Sequence, residues 1–141
     1  MSEEPTTSDL MARVHRLFEA ANRGDVDTAM SFFDPDAVWE IRGLGTSFEG
    51  VTAIRDFVED WTGAYEEFRI DIEEMLELGH GVVLTLYHQE GRPIGASNYV
   101  RVRSAMVMLW VDGVIVRNTV YPESDIDEAR AAAERLAKER G

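Results

Sequence analysis

A carboxylate set between large apolar residues is the feature of this chain that most invites acid–base chemistry. It occurs at Val38-Trp39-Glu40-Ile41. A carboxyl held in an apolar pocket has a raised pKa and can accept or deliver a proton near neutral pH. A strand reading of "AVWEI" works against that role. Alternation puts Trp39 and Ile41 on one face and Val38, Glu40 and Arg42 on the other. Glu40 is then either a base, if its own face is buried, or an outward charge, solvated or ion-paired. The outward reading is the expectation, because a buried unpaired carboxylate costs several kcal/mol or is neutralised.

The other chemistry-bearing residues are sparse. Three histidines, His15, His80 and His88, show no i, i+4 pair and no HExxH, so no metal site is expected. The chain has no cysteine, which removes thiolate chemistry and suits a reducing cytoplasm. "GLGTSFEG" lacks phosphate-loop spacing and reads as a flexible loop. No cofactor is expected. His88 follows Tyr87 directly, so the two take opposite faces of a strand, and His88 is expected outward.

The elements that position these residues follow from periodicity. "MSEEPTT" is a polar tail over residues 1–7, and residues 8–141 are expected to form one domain. Leu10, Val14, Leu17, Phe18 and Ala21 keep the helical period, and Gly24 ends that helix. Asp25 starts a short second helix through Phe33, closed by "DPD". "AVWEI" is a strand, and Thr52 to about Tyr65 is a third helix carrying Phe57 and Trp61 on one side. From Phe68 onward "FRIDIEEML", "HGVVLTLYHQ", "ASNYVRVRSAMVMLWV" and "GVIVRNTVY" read as strands, with Asp112-Gly113 as a hairpin signal. Ser124 and Asp127 resemble a capping box before an Ala-rich final helix. Helices followed by a run of strands predict an α+β domain, its helices against one face of an antiparallel sheet.

Composition narrows the partners. The formal net charge is −13 and hydrophobic content 45%; nucleic acid is excluded as a partner, since phosphate binding needs clustered Lys and Arg. No apolar run approaches the length of a membrane helix, and there is no signal-peptide h-region. A cytoplasmic protein is expected. "MVML", Met106 to Leu109, is apolar on both faces. One face would fill a core and the other a homodimer interface on the outer sheet face, unless the C-terminal helix covers it.

The stretches "NRGDVDTAMSFFDPDAVWEI", "FEGVTAIRDFV" and "AMVMLWVDGVIVRNTVY" resemble the SnoaL-like branch of the nuclear transport factor 2-like superfamily over roughly residues 8–136. The resemblance implies a cone-shaped, cystatin-like α+β barrel: a curved antiparallel sheet wrapped around N-terminal helices, with a deep apolar pocket and often a dimer. It does not imply one chemistry, because the superfamily holds isomerases, epoxide hydrolases, cyclases, dehydratases and non-catalytic binding modules. The positions of a steroid isomerase's base, tyrosine and acid fall on Ile41, Leu17 and Ala105, none of which exchanges a proton. The charged positions of a limonene-epoxide hydrolase fall near Tyr87, Gln89 and Val120, with its tyrosine at Trp39. The cyclase aspartate falls at Asn118-Thr119-Val120.

What the resemblance leaves is a greasy pocket with one polar end. In relatives the parity shared by Arg101, Arg103, Ala105 and Val107 faces inward. Arg103 would either hold a ligand's carbonyl or anionic oxygen or form an ion pair with Glu40, Glu73 or another strand carboxylate. Tyr87, Gln89 and Asn118 would complete the polar end or serve the core. Trp39, Phe57 and Trp61 would wall the pocket or simply pack. The expected ligand is a small hydrophobic molecule. An acid–base enzyme with Glu40, His88 or Tyr87 as catalytic residue, and a dimeric interaction module, are the alternatives.

Overall fold

A computed structural model describes residues 7–141. The expected tail lies outside the described residues except for Thr7, which opens the first helix. Helix α1 runs Thr7–Arg23 and α2 Val26–Met30. Val14, Leu17 and Phe18 are buried as their spacing requires. Asn22 clamps α1 to the sheet. Its Nδ2 donates to the Ile70 carbonyl (2.9 Å) and its Oδ1 accepts from the Ile70 N–H (2.7 Å). Asp25 caps α2, its carboxylate accepting from the Thr28 N–H at 3.2 Å. The second helix stops short of Phe33, which already belongs to strand β1, Phe33–Ile41. There "DPD" forms an irregular strand start, with the Asp36 N–H donating to Asp34 (2.9 Å).

The expected loop after β1 contains a 3-10 turn, Arg42–Leu44, and an edge strand β2, Thr46–Glu49, antiparallel to β1. Helix α3 (Val51–Gly63) follows, then β3 (Tyr65–Gly79), β4 (Val82–Pro93), β5 (Val100–Val111), β6 (Val114–Pro122) and α4 (Ile126–Arg140). Asp112 and Gly113 both take positive φ, 52° and 87°, as a tight hairpin turn demands. The expected capping box does not form. A 3-10 turn over Glu123–Asp125 precedes α4, and Asp125 stands at its N-cap.

The six strands form one curved sheet in the order β2-β1-β6-β5-β4-β3. It is open, with β2 and β3 as edges, and so is not a closed barrel. It is also mixed, since β1 runs parallel to β6 while every other pair is antiparallel. Of the irregularities that shift the register between strands, two bear on the site. Glu73 is the extra residue of β3 between Ile72 and Glu74, and Val116 is the extra residue of β6 between Ile115 and Arg117.

Both faces of the sheet are covered. On the inner face α1, α2 and α3 pack against Trp39, Val83, Tyr87, Met106, Met108 and Trp110. On the outer face Ala129, Ala133 and Ala137 of α4 lie on Val82, Leu84, Leu86, Ala105, Val107 and Leu109. Small side chains at i, i+4, i+8 let α4 sit close to the strands. The outer apolar stripe expected to mate with a second copy is therefore occupied by the chain's own helix.

Candidate functional site

The inner face encloses an apolar cavity of ≈ 50 Å³. Leu17 and Phe18 of α1, Ala29 and Met30 of α2, and Val58 and Trp61 of α3 line its helical side. The sheet contributes Phe33, Trp39, Phe68, Ile70, Met106, Met108 and Asn118. None of the lining residues is charged. A continuous aromatic belt supports one wall: Phe33 stacks on Trp39 (5.9 Å between centroids), Trp39 meets Phe57 edge-on (5.6 Å), and Phe57 stacks on Trp61 (5.8 Å).

Three lining residues carry polar side-chain groups: Thr62 of α3, whose hydroxyl donates to the Val58 carbonyl at 2.8 Å, Trp39 of β1 and Asn118 of β6. Asn118 is fully buried, and its Nδ2 donates only a long bond to the Met106 sulfur at 3.7 Å. Five buried side-chain polar atoms among the described residues have no partner within the protein, and two of them, Trp39 Nε1 and Asn118 Oδ1, belong to residues that line the cavity. Trp39 and Asn118 are direct partners across the parallel β1–β6 ladder. Buried groups of this kind are rare, because each forgoes its hydrogen bonds to water without replacement.

The residues expected at the site separate into three groups. Leu17, Trp39, Trp61 and Asn118 line the cavity. Tyr87, Ile41 and Phe57 belong to the inner-face core but not to the cavity lining. Gln89 shares Tyr87's strand parity, is half-buried, and also lies outside the lining. Tyr87 packs edge-on against Phe18 (6.0 Å). Burial pushes its hydroxyl pKa well above the ordinary phenol value, with a hydrogen bond to Ser104 acting in the opposite sense.

Arg103, Ala105, Glu40 and His88 are on the outer face. Ala105 lies beneath α4. The Glu40 carboxylate accepts from Arg117 at 3.1 Å. Arg103 does not reach the cavity. Its Nε and Nη2 donate in parallel to the two oxygens of Glu73, both at 2.8 Å, while His88 Nε2 sits 2.9 Å from Glu73 Oε1. The Glu73 bulge delivers this carboxylate to the outer face, where the Arg103 fork holds its pKa down to about 2. The expected inward parity fails because Val116 is inserted in β6. In an unbulged hairpin Asn118 would oppose Val107, but the bulge sets it opposite Met108. Met106 and Met108 then share Asn118's face, and Arg103 and Ala105 take the other.

A protein-family model described as a SnoaL-like domain matches residues 14–118. The chain belongs to the SnoaL-like family. Solved structures with the nuclear transport factor 2-like, ketosteroid isomerase-like fold superpose on this SnoaL-like domain. Bal32a, from a soil-derived mobile gene cassette, matches at TM-score 0.74 and 19% identity, covering 86% of this chain and 94% of its own. A protein with a ketosteroid isomerase-like fold from Catenulispora acidiphila, in complex with trimethylamine, matches at TM-score 0.71 and 16% identity, with 82% and 86% covered. TerC, co-crystallised with polyporic acid, matches at TM-score 0.70 and 15% identity, with 84% and 95% covered. At these identities the likeness is one of fold. No curated protein matches the chain.

Proposed function

We propose that this SnoaL-like domain binds a small, uncharged, predominantly apolar molecule in the inner cavity, with Trp39 and Asn118 as its polar end. The reading rests on one observation: the cavity is lined almost wholly by aromatic, aliphatic and methionine side chains, with Thr62 and Asn118 as neutral polar members and not a single charge. An ionised ligand there would lose its hydration with no counter-charge in return. Arg103, the group that would have favoured an anionic oxygen, is engaged by Glu73 on the far side of the sheet. The carbonyl half of the expected ligand keeps its support and the anionic half loses it.

Size sets a further condition. At ≈ 50 Å³ the cavity is far below the volume of a drug-sized site. Its occupant is either a molecule of a few heavy atoms or one for which Met30, Met106 and Met108 move aside, as unbranched thioethers readily do. The Catenulispora acidiphila neighbour in complex with trimethylamine supports a ligand at the small end of that range. Acid–base catalysis has less behind it, since Glu40 and His88 lie on the outer face and no lining residue titrates in the physiological range.

Thermal shift with five-membered-ring probes tests the reading. Neutral cyclopentane and cyclopentanone should raise the melting temperature of the wild type, and cyclopentanecarboxylate should not. A ligand at 100 times its Kd adds about 2.7 kcal/mol. Filling the cavity by Ala29→Leu should abolish the shift. A carboxylate that stabilises as strongly as the ketone, or a shift that survives in the filled variant, would overturn it.

A further inference from the structure

Two residues of the cavity wall each carry a buried polar atom without a partner, the two atoms of opposite character, and the chemistry that satisfies both is specific. Trp39 Nε1–H can only donate, and Asn118 Oδ1 can only accept. The indole is held in place by its stack on Phe33 and its edge contact with Phe57. The orientation of the Asn118 amide follows from Met106, because the nitrogen lies against the thioether sulfur, which accepts weakly and cannot donate. The carbonyl oxygen is thereby the end left free. Trp39 and Asn118 are paired across one step of the β1–β6 ladder, and neighbouring strands lie about 4.8 Å apart. One compact functional group is of the right scale to span both.

We propose that the ligand's polar end is a neutral acceptor–donor pair of the amide or lactam kind. Its carbonyl accepts from Trp39 Nε1–H and its N–H donates to Asn118 Oδ1. A carboxylate presents only acceptors, which Asn118 Oδ1 repels; an ammonium presents only donors, which the indole N–H repels. A ketone satisfies Trp39 and leaves Asn118 Oδ1 bare, and a site built to pair a donor discriminates strongly against a ligand lacking it. The proposal rests on the pocket reading above and narrows it to one ligand class.

The test uses three probes of nearly one shape: cyclopentane, cyclopentanone and the lactam pyrrolidinone. Their affinities would be measured by titration of wild type, Asn118→Leu and Trp39→Phe. Asn118→Leu should weaken the lactam about tenfold, the scale of one buried hydrogen bond, and leave the ketone within about twofold. Trp39→Phe should weaken both carbonyl probes and spare cyclopentane. In wild type, where no variant need fold, the lactam should move the Trp39 indole N–H resonance downfield while cyclopentane does not, the signal being assigned in the wild-type protein by its through-space contacts to Phe33 and Phe57. If Asn118→Leu weakens lactam and ketone equally, or the indole resonance ignores the lactam while the probes bind, the amide assignment falls and the pocket reading stands. If none of the three probes binds, both fall together.

Discussion

Asn118 illustrates what a site residue costs the fold that carries it. Its amide is buried with one weak bond to sulfur and a bare carbonyl oxygen, so a leucine of similar size should pack there at least as well. Asn118→Leu is expected to raise stability by about 1 kcal/mol, read as an increased urea midpoint at unchanged m, while ligand affinity falls. The Glu73–Arg103 fork makes the opposite case: a polar pair on the outer face that serves the structure. Glu73 has its folded pKa lowered from 4.5 to about 2. Its contribution is therefore fully present above the unfolded value and is lost as pH falls through the folded one. Wild type and Glu73→Gln should differ most near neutral pH and converge as pH drops from about 4.5 toward 2, followed by thermal melts across that window. Part of the residue-level picture was legible in sequence. Alternation at "AVWEI" already put Trp39 inward and Glu40 outward. Arg103 was left between a ligand contact and an ion pair with a strand carboxylate, Glu73 among those named; the pair is what forms, but nothing in its neighbourhood says which face of β5 it takes.

At the scale of elements, that ambiguity has a definite origin. "MVMLW" is apolar at every position, so it carries no alternation to read, and the hairpin turn alone sets the register. The Val116 bulge then shifts the register by one, with no glycine or proline to mark it. β2 was hidden for a different reason, being four residues among glycines. The role of α4 is the element that most repays a test. Its Ala129, Ala133 and Ala137 are buried against the outer stripe. A chain ending after Ser124 should expose that stripe and self-associate, which sedimentation velocity would detect against a full-length control. Enlarging the contact by Ala133→Leu should destabilise by about 1–3 kcal/mol through overpacking. A truncated chain that associates no more than the full-length control would mean that the stripe needs no cover.

The whole molecule carries a formal charge of −13, and the guanidiniums of Arg42, Arg55, Arg92, Arg103, Arg117 and Arg130 are each already paired with a carboxylate. Net self-repulsion should dominate over these surface pairs, so raising salt from about 0.05 M to about 0.5 M should raise the melting temperature. A fall would mean that the ion pairs matter more than the excess of acid. Apart from β2, the order of helices and strands was readable in the sequence. The parallel join of β1 to β6 was not, since no local pattern tells a strand which distant neighbour it will meet. That join bears on the kinetics of folding. β3 to β6 form a meander of sequence neighbours, whereas Trp39 reaches Asn118 across about 80 residues of chain, a closure whose entropic cost is met late. A molecule that bridges the two side chains finds its complete receptor only after that closure. It should leave the rate of folding almost untouched and slow the rate of unfolding instead, acting as a latch on a finished chain rather than as a template for an unfinished one.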